Sequence, residues 1–61
     1  MIVRVILIEL VGSHGMTLDS TTLNVEDGDA EADRKINDAV VTFARDMILA
    51  PGDNIRISEY Q

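Results

Sequence analysis

The stretch Met1 to Val11, MIVRVILIELV, is apolar at every position except Arg4 and Glu9. A β-strand sends successive side chains to opposite faces, so a strand of this composition is apolar on both faces and wants cover on both. The residues after Val11 hold material for about one helix and two short strands, which can cover only one side of a sheet. The uncovered side points to a partner.

The rest of the chain reads as those three elements. Gly12-Ser13-His14-Gly15 carries two glycines able to take positive φ, which suits a short hairpin loop. A second strand is expected within Met16 to Val25. Its apolar residues change parity between Met16, Leu18 and Leu23, Val25, which predicts a bulge or a late start near Thr21. Pairing Val11 with Met16 would put Ile2, Ile6, Ile8, Leu10, Leu23 and Val25 on the helix-facing side, and Val3, Val5, Leu7, Val11, Met16 and Leu18 on the other. A one-residue slip would exchange the two sets.

A helix is predicted from about Asp29 to Leu49, with Ala32, Ile36, Ala39, Val40, Phe43, Ala44 and Met47 in one stripe and Val41 and Ile48 widening it on one flank. The polar side suggests Glu31–Lys35 and Arg34–Asp38 pairs one turn apart. Pro51 disfavours helical geometry at Ala50, so the helix ends there. Asp53 to Tyr60 then alternates as a third strand, with Ile55 and Ile57 inward and Arg56, Ser58 and Tyr60 outward. A helix joining strand 2 to a parallel strand 3 needs a right-handed crossover, and skipping one position leaves strand 1 in the middle. The expected fold is therefore α+β: a single ββαβ domain with a three-stranded antiparallel sheet in order 2-1-3 and one helix packed on one face.

Composition narrows the function. Eleven acidic residues against five basic ones give a formal charge of −6, which repels phosphate backbones and anionic membranes. Phe43 and Tyr60 are the only aromatic residues, too few for a base-stacking platform. Direct nucleic-acid binding and membrane association are not expected. With no cysteine, disulfides and thiolate metal sites are excluded, and a domain of this size then leans on oligomerisation or a host complex. Met-Ile-Val-Arg lacks the features of a signal peptide, and no apolar run approaches the ~20 residues that span a bilayer, so a cytoplasmic location is expected.

No catalytic, metal or cofactor site is read from the residues. Ser13 and His14 are adjacent in a turn, without an orienting acid or an oxyanion pocket. The acidic run Glu26, Asp27, Asp29, Glu31, Asp33 lacks the alternating ligands and distant glutamate of a calcium loop. It either caps the helix or docks onto a basic target. A chain this small also leaves little room for a ligand pocket of ~300 Å³ or more, so neither a small-molecule substrate nor an enzyme is expected. The candidate protein-binding surface is the apolar outer face of Val3, Val5, Leu7 and Leu18, joined by Val41 and Ile48 at the helix flank, unless a loop or Tyr60-Gln61 folds over it. Strands 2 and 3 are both edges without internal proline, which adds edge pairing as a second docking mode.

The segment Asp29 to Tyr60, with its alanine-containing helix, the turn Ala50-Pro51-Gly52-Asp53 and the strand Ile55-Arg56-Ile57-Ser58-Glu59, resembles the C-terminal half of short phage-encoded proteins. Small acidic inhibitors of bacterial RNA polymerase are similar in length, acidity and helix-turn-strand ending, and β-grasp folds share the pattern. No site residue carries over from the resemblance. With the acidity pointing to the class of target and the uncovered sheet to binding, the expected function is that of a small acidic protein-binding domain, phage-encoded as the resemblance implies, that inhibits or modulates a bacterial nucleic-acid-handling complex such as a CRISPR effector, a restriction system or a polymerase. The alternative is a homo-oligomeric structural or accessory domain whose outer sheet faces pack on each other.

Overall fold

The computed structural model describes residues 2–60 and runs β1 (Val3–Val11), β2 (Thr17–Glu26), α1 (Ala32–Ala44) and β3 (Asn54–Tyr60). Met1 and Gln61, which the sequence places at the head of the apolar stretch and at a possible covering tail, lie outside the described residues. The sheet has the order β2-β1-β3, with both neighbours antiparallel to β1. β2 and β3 are thus parallel to each other, as the crossover through α1 requires. The predicted α+β fold and strand order are both present.

Register decides which half of β1 meets the helix. Ile6 pairs with Leu23, Ile8 with Thr21 and Leu10 with Asp19 on one side, while Ile8 pairs with Ile57 and Leu10 with Ile55 on the other. Opposed residues of an antiparallel pair point to the same face, so these side chains share one layer. Ile6, Ile8, Val25 and Ala32 form the buried centre, with Leu23, Ile36, Ala39, Val40, Phe43 and Ile55 packed around it. The helix-facing set expected from the hairpin is therefore correct in β1 and β2, except that Ile2 precedes the strand and is exposed.

Three boundaries differ from the sequence reading. The bulge lies between Leu10 and Val11, where Val11 pairs with Thr17 and Leu18 becomes the extra residue, three positions before Thr21. The hairpin loop consequently closes with the Gly12 N–H donating to the Met16 carbonyl at 2.9 Å, and Val11 does not pair with Met16. The helix is shorter at both ends than Asp29 to Leu49. At its start, Asp29 folds the chain into a turn: its carboxylate accepts the Glu31 N–H at 2.8 Å and its carbonyl accepts the Ala32 N–H at 3.1 Å. At its end, Arg45 and Met47 donate three residues back instead of four, tightening and then ending the helix. The apolar stripe continues past that point, but Ile48 is 97% exposed.

α1 approaches the sheet most closely over β2. Ile57 shares the layer of Ile8 yet is half exposed for that reason, so only part of the predicted inward side of β3 is covered. No described helix is long and apolar enough to cross a membrane.

The loops at one end of the sheet also pack together. Gly52 has φ +91°, and a Cβ placed there would lie 2.8 Å from the Ser13 Cβ. Gly28 has a similar φ of +85° with nothing within 4 Å. Both glycines avoid the steric cost of left-handed backbone, but only Gly52 also makes room for a neighbour. Gly28→Ala should therefore cost about 1–2 kcal/mol, and Gly52→Ala about 1 kcal/mol or more beyond that because Ser13 must move. Urea denaturation of the two variants measures the difference; equal losses would show that the two loops do not pack.

Candidate functional site

The second face of the sheet follows from the same register. Val3, Val5, Leu7, Glu9 and Val11 form its central row. Glu26, Asn24, Thr22, Ser20 and Thr17 of β2 stand on one side, and Tyr60, Ser58, Arg56 and Asn54 of β3 on the other. The flanking strands are thus mostly short hydroxyl and amide side chains around an apolar ridge. No described helix or strand lies over this face, because α1 occupies the opposite layer. Val3 is 51% exposed and Tyr60 60%, while Val5, Leu7 and Val11 are half-buried by their neighbours. The side chains of Val5 and Leu7 do not stand fully in water, as an isolated strand would suggest; their flanks are shielded and only their tips face outward.

Glu9 is the exception on this ridge. It is buried, at 8% exposure, and both carboxylate oxygens are satisfied. The Thr17 hydroxyl donates to Oε2 at 2.7 Å, and the Arg56 Nε and Nη2 donate to Oε1 at 3.2 and 3.1 Å. The Thr17 hydrogen bond, followed by Arg56, holds the carboxyl below its ordinary value of 4.5 against the opposing effect of desolvation. In sequence Glu9 is an interruption of an apolar strand. Its role appears only once β3 is placed beside β1 with Arg56 opposite Glu9, a cross-strand charge pair that no local pattern reveals.

The remaining predicted surface residues separate. Val41 lies on α1, across the sheet from Val3, Val5 and Leu7, so it does not extend their patch. Ile48 is in the connection after the helix. Leu18 is half exposed at the bulge, where its side chain lies over Gly12. His14 is exposed in the hairpin loop.

The acidic run is divided in a similar way. Glu26 pairs with Val3 at the edge of the open face, and the Asp27 N–H donates to the Ile2 carbonyl at 2.8 Å, so these two acids border the apolar ridge. Asp29 and Glu31 turn toward the helix. Lys35 bonds Asp29, and Arg34 bonds Glu31 at 2.6 Å, in place of the expected Glu31–Lys35 and Arg34–Asp38 pairs. Lys35 and the Glu31 N–H hold the Asp29 carboxyl below its usual value. Asp33 lies in the first helical turn, where negative charge is favourable. Among the described residues no group of acids or histidines converges on a metal-holding geometry.

A groove lies on the helix side, between the outer edge of β2 and the flank of α1. Thr21, Leu23, Lys35, Asp38, Thr42 and Phe43 are among the residues that line it. Its volume is about 450 Å³. The chain thus does have space of ligand size, contrary to what its length suggests, in the form of an open groove.

Acid sensitivity follows from the carboxylates. Glu9, Asp29 and Glu59 are all held below their ordinary values, Glu59 chiefly by its hydrogen bond from Arg4 at 2.7 Å. The stability these interactions contribute is complete above the unfolded-state values and is lost as pH falls through the lowered folded-state values. Urea midpoints measured from about pH 7 down to about pH 3 should fall most steeply below about pH 4.5. Glu9→Gln should make that fall shallower; an unchanged acid profile would show that Glu9 carries none of it.

No protein family, curated protein or solved structure matches the chain.

Proposed function

We propose that this chain is a small protein-binding domain that docks through the open face of its sheet, with Val3, Val5 and Leu7 at the centre of the contact. The observation that carries the reading is an apolar ridge that no element covers among the described residues, whose single helix already serves the other face. Exposed apolar ridges bordered by polar residues are characteristic of interaction surfaces. Glu26 and Asp27 at the Val3 end add negative charge to that border and suit a partner with basic residues beside an apolar patch. The net charge of −6 favours the same class of partner and opposes direct binding to nucleic acid. Together with the resemblance to phage-encoded inhibitors, this supports a role in inhibiting or modulating a bacterial nucleic-acid-handling complex such as a CRISPR effector, a restriction system or a polymerase.

The competing reading is a structural domain in which two copies stack by their open faces. Glu9 and Arg56 neutralise each other on that face, so stacking brings no uncompensated pair of like charges from this site into contact. Capture from bacterial lysate, combined with mass measurement in solution, separates the two. Fully burying a Val or Leu side chain contributes roughly 1.5 to 3 kcal/mol, so Val5→Asp should strongly weaken whichever association is real. Loss of captured protein at unchanged mass supports docking, loss of mass supports stacking, and no effect on either places the contact elsewhere.

Once a partner is captured, its association rate tests the acidic border. Reversing Glu26 and Asp27 should slow association and reduce its dependence on salt, because steering acts mainly on encounter. Equal rates and salt slopes would leave the apolar ridge as the sole determinant.

A further inference from the structure

The two edges of the sheet are unequally protected. β3 carries Arg56 and Glu59 within the strand, each tied across to β1, to Glu9 and Arg4 respectively. Charged residues along an edge deter pairing with another chain. β2 has none from Ser20 to Val25, and its charges, Asp19 and Glu26, lie outside that run. Beside this unguarded edge is the groove under α1, with Lys35 and Asp38 on the same helix flank.

We propose that two copies of this chain associate by antiparallel pairing of their β2 edges, about a two-fold axis near Thr22, with the α1 flanks meeting over the joined strands. α1 packs with Ile6 and Ile8 of β1 and with Leu23 and Val25 of β2, and comes nearest the sheet over β2, so its outer flank stands beside the β2 edge. Ala39 and Thr42 on that flank are small enough for close approach.

Charge identifies a second copy as the occupant. Under two-fold symmetry each contact occurs twice, so a surface that pairs with itself must carry both members of every ion pair. Lys35 and Asp38 are such a set: Lys35 of one copy meets Asp38 of the other, and the reverse. Lys35 already donates to Asp29, but an ammonium has three N–H groups and keeps donors free. Asp38 forms no ion pair among the described residues. In the strands, pairing Thr22 with its own copy sets Asp19 against Val25 and Glu26 against Leu18, so no acid opposes an acid. The six-stranded sheet that results carries both open faces on one side as a continuous surface, leaving them available to a partner.

Light scattering over a concentration series, with amide hydrogen exchange at the two ends of that series, tests the pairing. The expected result is a dimer at high concentration, with outward-facing amides between Ser20 and Asn24 gaining protection as the dimer forms. Thr21→Lys guards the edge and should leave a monomer. Asp38→Lys sets like charges against Lys35 and should weaken the dimer about tenfold or more. It changes an exposed helix residue, so it remains informative if Thr21→Lys fails to fold; circular dichroism checks both. A monomer at every concentration overturns the proposal. So does a dimer that survives the folded variants, or one that Val5→Asp breaks while they do not.

Discussion

β1 occupies the middle of the sheet and is apolar on both sides, while the described residues supply one helix. That mismatch organises the rest of the molecule. The helix must choose one side, and the register assigns it Ile6 and Ile8, which become the most buried positions. The alternate residues Val3, Val5, Leu7, Glu9 and Val11 are then committed to the opposite side. Burial on the first face cannot be traded for burial on the second, because a slip of one residue would exchange the whole sets.

The open face is nevertheless not a bare hydrophobic surface. Short polar side chains from β2 and β3 shield the flanks of Val5 and Leu7, and Glu9 is inserted into the row with Thr17 and Arg56 as fixed partners. An ion placed in an apolar row favours the register that completes its hydrogen bonds, since the alternatives leave a partly buried carboxylate without them. Glu9 therefore links β2, β1 and β3 on the side that has no helix to hold them. On the helix side, the Arg4–Glu59 pair makes a second tie between β1 and β3.

Strand order, strand parity and the helical stripe were legible in the sequence because each rests on a local period or a chirality rule. Val25 and Leu23 fell on the correct side of the sheet for that reason. The position of the bulge was not legible: Leu18 and Leu23 disagree in parity, but any residue between them satisfies the count. Pro51 marks a latest end for the helix, whereas its actual end at Ala44 comes where Arg45 and Met47 donate three residues back, and Ile48 beyond it is exposed. Sequence alone does not separate Val41 from Val3, Val5 and Leu7, because apolar residues on a helix flank and on a strand look alike until the layers are assigned. The Glu9–Arg56 pair and the groove beside β2 require long-range register and so have no local signature.

The account depends on β1 having one covered and one open face in the isolated chain. Methyl NMR with a soluble paramagnetic probe, at a concentration where the chain is monomeric, reads both faces of the strand at once. The methyl signals of Val3, Val5 and Leu7 should be attenuated strongly, and those of Ile6 and Ile8 spared. Equal protection of the two sets would mean that the second face is covered within the chain, and would contradict the account.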